Sequence, residues 1–400
     1  LVAKPGERAC RLRGTARRRG LRSVAVCRDA DRDAPHVAMA DVAVPIGPAP
    51  AAQSYLRVDA LIDAARRTCA GAVHPGYGFL SERADFAEAC AAAGLVFVGP
   101  PVEALRAMGD KAQAKRRMAA AGVPVAEGFL DDGADDATLT AAAHRLGLPL
   151  LVKAVAGGGG RGMRLVRDMA ELPQALASAR REARSAFGDD ALMLERLIDG
   201  ARHVEVQVIA DAHGHCLHLG ERDCTVQRRR QKLIEESPSP IVDDALRARL
   251  GHDAVTAALA VGYQGAGTVE FLVDAQRRHI FLEVNARLQV EHPVTEAVTG
   301  LDLVEWQLRV AAGEPLPMAQ ADVRMDGHAI EARLLVEDPY DGWTPQTGRV
   351  VRWQPQDAGV RVDHGVAAGQ AIGPHYDAMV AKLIAHGRDR DDARRRLVRA

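Results

Sequence analysis

Between residues 283 and 291 the chain sets acids, amides and one arginine at alternating positions, a short turn after a further acid at Glu270. Glu270 lies in an apolar run that ends at Asp274, and Glu283 and Asn285 follow His279 after a short turn. Two such runs read as a hairpin. If Val273 pairs with Ile280, Glu270 falls opposite Glu283, and Asn285 shares the face of Glu283. Like charges facing each other across a sheet are destabilising unless something neutralises them. Carboxylate and amide oxygens suit a hard divalent cation, so Glu270, Glu283 and Asn285 are candidate ligands for Mg²⁺ or Mn²⁺. The plainer reading, two exposed acids on an edge hairpin, fits poorly with the apolar residues around them. Without a break the chain continues into Arg287, Gln289 and Glu291, which an extended segment aims the same way. An arginine fork binds a planar oxyanion, and a carboxylate within reach can take its proton. The pair describes a site for bicarbonate or a carboxylate substrate. His292, just before Pro293, reads as structural.

A second constellation is Lys153 followed by four consecutive glycines, Gly157 to Gly160, and Gly162. Such a run packs poorly but lets backbone N–H groups close around phosphate oxygens. The order GxxxxGK[ST] is absent and no helix follows directly, so this is not a Walker A loop. Charges crowd residues 221–236, enough to gather several anions, although charged loops are common. Cys224 within that stretch reads as packing and not as a nucleophile. The loop at 74–82 follows a strand, at the edge where α/β sheets take ligands. Lys111 opens a helix and adds a cation.

These residues need elements to hold them. Residues 21–27, 42–46, 71–73 and 95–98 read as buried strands, with helical spacing over 55–69 and 82–93 between them. That alternation predicts a parallel, doubly wound sheet. One helix is expected over 103–121, an acidic surface loop at 131–136, strands at 148–154 and 163–166, and a helix over 169–187. A hairpin of 202–210 with 215–219, a helix over 243–261, and mixed strands ending in a basic helix complete the pattern.

Apolar residues make up 48% of the 400 and charged residues 26%, a globular profile. A net charge of −1 recommends neither nucleic acid nor a membrane surface as partner. The basic clusters at 8–22 and 388–399 read as solvated helix faces. Six scattered cysteines without a CxxC pair suit a reducing compartment, by default the cytoplasm. No apolar run approaches the ~18 residues of a spanning helix. The Arg-rich opening has the composition of a targeting segment, but it runs directly into the strand-like 21–27 and is read as part of the fold.

The motifs HPGYGFLSE (74–82), MGDK (108–111), GGGGRGM (157–163), RHVEVQ (202–207), ERDC (221–224), GAGTVEF (265–271) and EVNARLQVEHPVTE (283–296) together resemble the biotin carboxylase family, in order and over the whole chain. The resemblance implies an α/β ATP-grasp fold. Its parts would be a Rossmann-like domain with a parallel sheet over 1–108 and an ATP-grasp domain over 109–318 with a lid at about 124–200. A mixed α/β domain over 319–400 would follow, ending before that domain's last helix and strand. It implies that ATP meets Lys111, Lys153, Gly159, Gly160, Glu195, Arg196, Leu197, Ile198, His203, Gln227 and Leu272. Two Mg²⁺ or Mn²⁺ ions would meet Glu270, Glu283 and Asn285. Lys232, Arg287, Gln289, Val290 and Glu291 would form the bicarbonate pocket, with Lys232, Arg287, Glu291 and Arg333 catalytic. Arg333 and Tyr77 would serve biotin, with Asp377 nearby. The activity implied is ATP- and bicarbonate-dependent carboxylation of biotin through carboxyphosphate, the first half-reaction of an acyl-CoA carboxylase. Biotin would come on a carrier protein or domain, with a carboxyltransferase as further partner and a homodimer as assembly.

Departures accompany the resemblance. Where the family has Asn-Arg-Gly-Glu-Ile-Ala, this chain has Lys4, Pro5, Gly6, Glu7, Arg8 and Ala9. Pro5, the cations Arg8, Arg11 and Arg13, and Gly14 should weaken the first strand–helix unit. Arg230 replaces a common histidine. Another ATP-grasp ligase, of the carbamoyl-phosphate synthetase kind, and an inactive scaffold both stay open.

Overall fold

The computed structural model describes residues 1–131, 133–155, 163–355, 359–375 and 377–400. In the N-terminal part, β1 (Val24–Cys27) pairs in parallel with β2 (Val42–Pro45), and β3 (Ala72–Val73) with β4 (Val96–Phe97). Val2 bridges in parallel to both Ala25 and His74, which joins the two pairs into the expected parallel sheet. Apolar strand residues such as Val24, Val26 and Val44 pack with Leu61, Ile62 and Phe86 from the helices Val58–Arg67 and Ala84–Ala92.

The first helix forms, contrary to the expectation, while the strand ahead of it is reduced to the isolated bridges of Val2. α1 spans Gly6–Arg18 with Pro5 at the N-cap, ahead of the turns in which a missing N–H would matter. Nor is its basic face wholly solvated. Arg11 donates to Thr15 Oγ1 at 2.6 Å, Glu296 at 2.6 Å and Asp302 at 2.9 Å, and Arg13 is buried against the carbonyls of Val24 and His36. The single helix expected over 103–121 is two, Val102–Gly109 and Lys111–Ala120. Asp110 breaks it: its backbone is extended and its side chain accepts from the Gln113 N–H at 2.9 Å, capping the second helix.

The centre is an eight-stranded antiparallel sheet. It holds β9 (Arg202–Ala210), β10 (Cys216–Arg228), β11 (Gln231–Ser237), β12 (Gly265–Val273), β13 (His279–Asn285) and β14 (His328–Leu335) in the order β13-β12-β9-β10-β11-β14. The strands Met379–Gly387 and Arg361–His364 extend it past β14. β10 runs well beyond the expected 219. The helix Asp244–Leu259 and the two helices around Asp110 cover one face, around Val206, Val208, Leu246, Leu250 and Phe271.

A smaller four-stranded antiparallel sheet, β5 (Gly128–Phe129), β8 (Leu192–Arg196), β6 (Leu150–Ala154) and β7 (Arg164–Val166), stands between β4 and β9 in sequence. The helices Asp136–Leu146 and Leu172–Phe187 pack on it around Leu139, Leu150, Val152, Leu176 and Leu194. The acidic stretch ends inside the first of these helices, where Asp135 caps it by accepting from the Thr138 N–H at 2.7 Å. Residues 156–162, which hold Gly159 and Gly160, lie outside the described residues. Among the described residues no helix is long and apolar enough to cross a membrane.

Candidate active site

Two bulges aim the residues that converge in the main cleft. β12 and β13 pair Val273 with His279, Leu272 with Ile280 and Phe271 with Phe281, one residue off the pairing expected from sequence. An extra residue in β13, Leu282, then shifts the register, so that Glu270 stands opposite Glu283 after all. In β11, Ile234 pairs with Val226 and Lys232 with Gln227, leaving Leu233 as the extra residue. A bulge reverses the alternation of side chains, which turns Lys232 to the same side as Glu235.

Glu270, Glu283 and Asn285 line a cavity of about 530 Å³. At its inner end Lys232 Nζ lies 2.9 Å from Glu270, 2.7 Å from Glu291, 2.5 Å from Glu205 and 3.2 Å from Gln289 Oε1. Glu291 is only 2% exposed. Its second oxygen accepts from Arg333 at 3.1 Å, and Arg333 Nε donates to Glu235 at 2.6 Å. Burial works against ionising Glu291, yet Lys232, Arg333 and Arg222 hold its carboxyl far below the usual range. Glu270 is likewise pushed up by burial and held well below that range by Lys232 and His203. Arg287 gives one edge of its guanidinium to Glu82, at 2.8 Å, and another N–H to Asn285 Oδ1 at 3.1 Å. Gln289 and Val290 complete this wall.

The outer part of the cavity is lined by cations and apolar groups. Lys111 pairs with Glu283 at 3.0 Å, and Lys153 and Lys115 both pair with Glu195. His203 sits 2.7 Å from Glu270 and 3.0 Å from Gln227, with Met163, Met193, Phe281 and Leu282 alongside. Three lysines converging in one cleft form a setting for a polyphosphate. Glu270, Glu283 and the Asn285 amide supply oxygen donors on adjacent strands facing one space, a donor set that fits a hard divalent cation.

Several expected residues lie elsewhere. Arg196, Leu197 and Ile198 line a separate cavity of about 1020 Å³ with Glu127 and Ile280. Their backbone is directed there because the Arg196 and Leu197 N–H groups bond Glu127 O and Pro149 O. Leu272, paired with His203 and Ile280 within the sheet, is not among the residues lining the main cavity. Tyr77 is 1% exposed and donates its hydroxyl to Glu7 at 2.6 Å, so it lies beneath the cleft and not in it. Asp377 does line the cavity, held by Arg8 at 2.9 Å. Reasoning from sequence missed Lys115, Glu205, Glu82 and Glu235. Two of these left a signal: Lys115 is four residues past Lys111 on one helix face, and Glu205 alternates with His203 and Gln207 along a strand.

A lysine-lined cleft beside two antiparallel sheets, with paired acids on the larger one, defines the chain as an ATP-grasp protein. Family models agree, in three consecutive stretches. The biotin carboxylase N-terminal domain matches residues 1–105, the carbamoyl-phosphate synthase L chain ATP binding domain residues 110–319, and the biotin carboxylase C-terminal domain residues 331–400. The chain belongs to the biotin carboxylase family. It is 51% identical over 395 residues to the mitochondrial methylcrotonoyl-CoA carboxylase subunit alpha of Rattus norvegicus, covering 98% of this chain and 55% of that one. It is 48% identical to the propionyl-CoA carboxylase alpha chain of Ruegeria pomeroyi, covering 96% and 59%. The chain thus spans a little over half the length of these relatives. Among solved structures, a biotin carboxylase from Campylobacter jejuni superposes with a TM-score of 0.95 at 43% identity, covering 98% of this chain and 88% of that one. The biotin carboxylase domain of a 2-oxoglutarate carboxylase from Hydrogenobacter thermophilus, solved as a dimer with MgADP, ADP and bicarbonate, gives 0.95 at 42% identity, covering 100% and 88%.

Proposed function

We propose that this chain uses ATP to carboxylate biotin with bicarbonate. The observation that carries the reading is Glu291: a buried, ionised carboxylate held between Lys232 and Arg333, at the inner end of a cleft whose outer end gathers three lysines. Glu291 takes the proton of bicarbonate, which Arg287 orients through its guanidinium. Bicarbonate then attacks the γ-phosphorus of ATP. Lys111, Lys115 and Lys153 leave their carboxylates for the phosphates and offset the charge there. Glu270, Glu283 and Asn285 would hold the divalent cation, which when bound neutralises phosphate charge. Carboxyphosphate breaks down to CO₂ and phosphate. The phosphate removes the ureido proton of biotin, Arg333 stabilises the resulting enolate, and biotin captures CO₂. Gly159 and Gly160 belong to this reading as backbone donors to phosphate, and Arg196, Leu197, Ile198 and Leu272 as neighbours of the nucleotide base.

The same reading extends to partners. Biotin would arrive on a carrier protein or domain, and a carboxyltransferase would pass the carboxyl group to an acyl-CoA, methylcrotonyl- or propionyl-CoA by analogy with the relatives. A homodimer is the assembly. The three-part division at residues 108 and 318 stands as proposed domain boundaries. All six cysteines are free, which suits a reducing compartment such as the cytoplasm.

Phosphate release from ATP with free biotin, bicarbonate and Mg²⁺ is the direct test. The reading requires release that depends on both biotin and bicarbonate. Stimulation by ammonia or a purine ribonucleotide in their place would assign the cleft to another ATP-grasp ligase, and nucleotide titrations without binding would leave only a scaffold.

A further inference from the structure

Two carboxyl groups that the reaction above does not use stand face to face behind Arg333. Glu235 on β11 and Glu331 on β14 are direct register partners, and both are 0% exposed. Side chains paired this way start about 4.5–5.5 Å apart at Cβ, and two anions there would repel without water to screen them. Glu235 Oε1 accepts from Arg333 Nε at 2.6 Å. Its Oε2, and both oxygens of Glu331, have no hydrogen-bond partner among the described residues.

Few cations are available to neutralise the pair. Arg333, two residues along from Glu331, is shared with Glu291 at 3.1 Å. Lys382, the register partner of Arg333 on the strand Met379–Gly387, donates to Val290 O at 2.7 Å and pairs with Glu7 at 3.2 Å and Asp363 at 3.8 Å. Lys232, on the strand of Glu235, is occupied by Glu205, Glu270 and Glu291. Burial pushes Glu235 up to about 7 against the pull of Arg333, and pushes Glu331 well above the carboxylate range against the pull of Lys382.

We propose that Glu235 and Glu331 are a positioning pair holding one proton between them: Glu331 is the neutral acid, it donates to Oε2 of Glu235, and Glu235 so fixed is the anion that holds Arg333 beside Glu291. The idea rests on the roles given above to Arg333 and Glu291. Neither acid touches substrate; both act through the guanidinium. With no proton on the pair, two anions would draw Arg333 back from the cleft. With a proton on each, Arg333 would close on Glu291 and mask the base.

Infrared spectroscopy of the full chain reads the pair directly. Near neutral pH the wild type should show the C=O stretch of a protonated carboxyl group, shifted in deuterium oxide and absent from Glu331→Gln. That variant, whose amide can donate as the acid does, should keep near wild-type biotin-dependent turnover. Glu331→Leu and Glu235→Gln should each lose kcat by roughly 10–100-fold, the usual cost of removing a group that orients a working side chain, with KM for ATP unchanged. Absence of the infrared band, equal loss in the Gln and Leu variants of Glu331, or full activity in Glu331→Leu would overturn the proposal. If Glu331→Leu does not fold, the band and its loss in Glu331→Gln still decide. A wild type lacking biotin-dependent turnover would defeat the proposed function instead, because the band does not depend on turnover.

Discussion

A buried glutamate is a usable base only if something keeps it ionised, and for Glu291 that is Lys232 on one oxygen and Arg333 on the other. On the proposed reading the same contacts would make it a weak base until bicarbonate and nucleotide redistribute the cations around it, since a strongly paired carboxylate takes a proton reluctantly. Replacing Glu291 with Gln removes the base while leaving the lysine-lined end of the cleft intact. Biotin carboxylation should fall by about 10²–10⁴, the usual contribution of a positioned base, with nucleotide affinity nearly unchanged. Nucleotide titration beside phosphate release checks this; a parallel loss of affinity would mean that Glu291 serves the phosphates and not the proton. The outer lysines differ in kind. Lys111, Lys115 and Lys153 rest on Glu283 and Glu195, partners that nucleotide would displace in the proposed reaction.

At the scale of elements, the bulges decide which side chains reach the cleft. Leu282 and Leu233 are each the extra residue at a local register shift between their strand and its partner. Replacing Glu283 with Lys should set a cation opposite Glu270 and abolish the Mg²⁺ dependence of nucleotide binding, while the N-terminal parallel sheet, which shares no strand with this hairpin, keeps its fold. Calorimetric titration with and without Mg²⁺ measures it, and an unchanged Mg²⁺ effect would place the metal away from the hairpin. Bulges also mark the limit of what the sequence makes legible. The apolar runs of β12 and β13 announce a hairpin, and their alternation puts the two acids together. Nothing in the residue types shows that the true pairing starts one place off and is corrected by an inserted leucine. Parallel strands and their helices were legible from apolar runs and spacing; burial on both faces leaves that mark in β1, whereas β2 and β4, expected to be buried, are partly exposed. The break at Asp110 was not, since a capping aspartate inside a helical pattern looks like any polar surface residue until its side chain is seen bonding the Gln113 N–H. The position of the Tyr77 hydroxyl was not legible for a related reason: a loop motif fixes where the backbone goes and not where a side chain points, and here the hydroxyl donates to Glu7.

Over the whole molecule, the seam between α1, the parallel sheet and the helices after β13 is built from buried polar groups. Arg11 links α1 to Glu296 and Asp302, and removing one partner of a buried ion pair costs about 3–5 kcal/mol. Glu296 keeps Arg361 at 2.7 Å as a second partner, so Arg11→Ala should cost about 3 kcal/mol, at the low end of that range, in urea denaturation. A cost near zero would mean that α1 is held by its apolar residues alone. The same seam contains three histidines, His36, His74 and His292, exposed by 0%, 5% and 0%. Among the described residues His36 has no hydrogen-bond partner on either ring nitrogen, while His74 Nδ1 accepts from the Gly76 N–H at 3.0 Å and His292 Nδ1 lies 2.7 Å from Gln289 O. Burial pushes His36 and His74 each down to about 3, and His292 well below its ordinary value. The unfolded chain therefore takes up protons near pH 6.5 that the folded chain refuses. Stability is present in full above about pH 6.5 and is lost as pH falls toward 3, by about 1.4 kcal/mol per pH unit for each histidine once well below 6.5. Urea midpoints at about pH 7.5, 6.5 and 5.5 should decline accordingly, and His36→Leu, which leaves the backbone carbonyl that Arg13 bonds in place, should flatten the decline. Identical slopes in variant and wild type would assign the acid sensitivity to other groups.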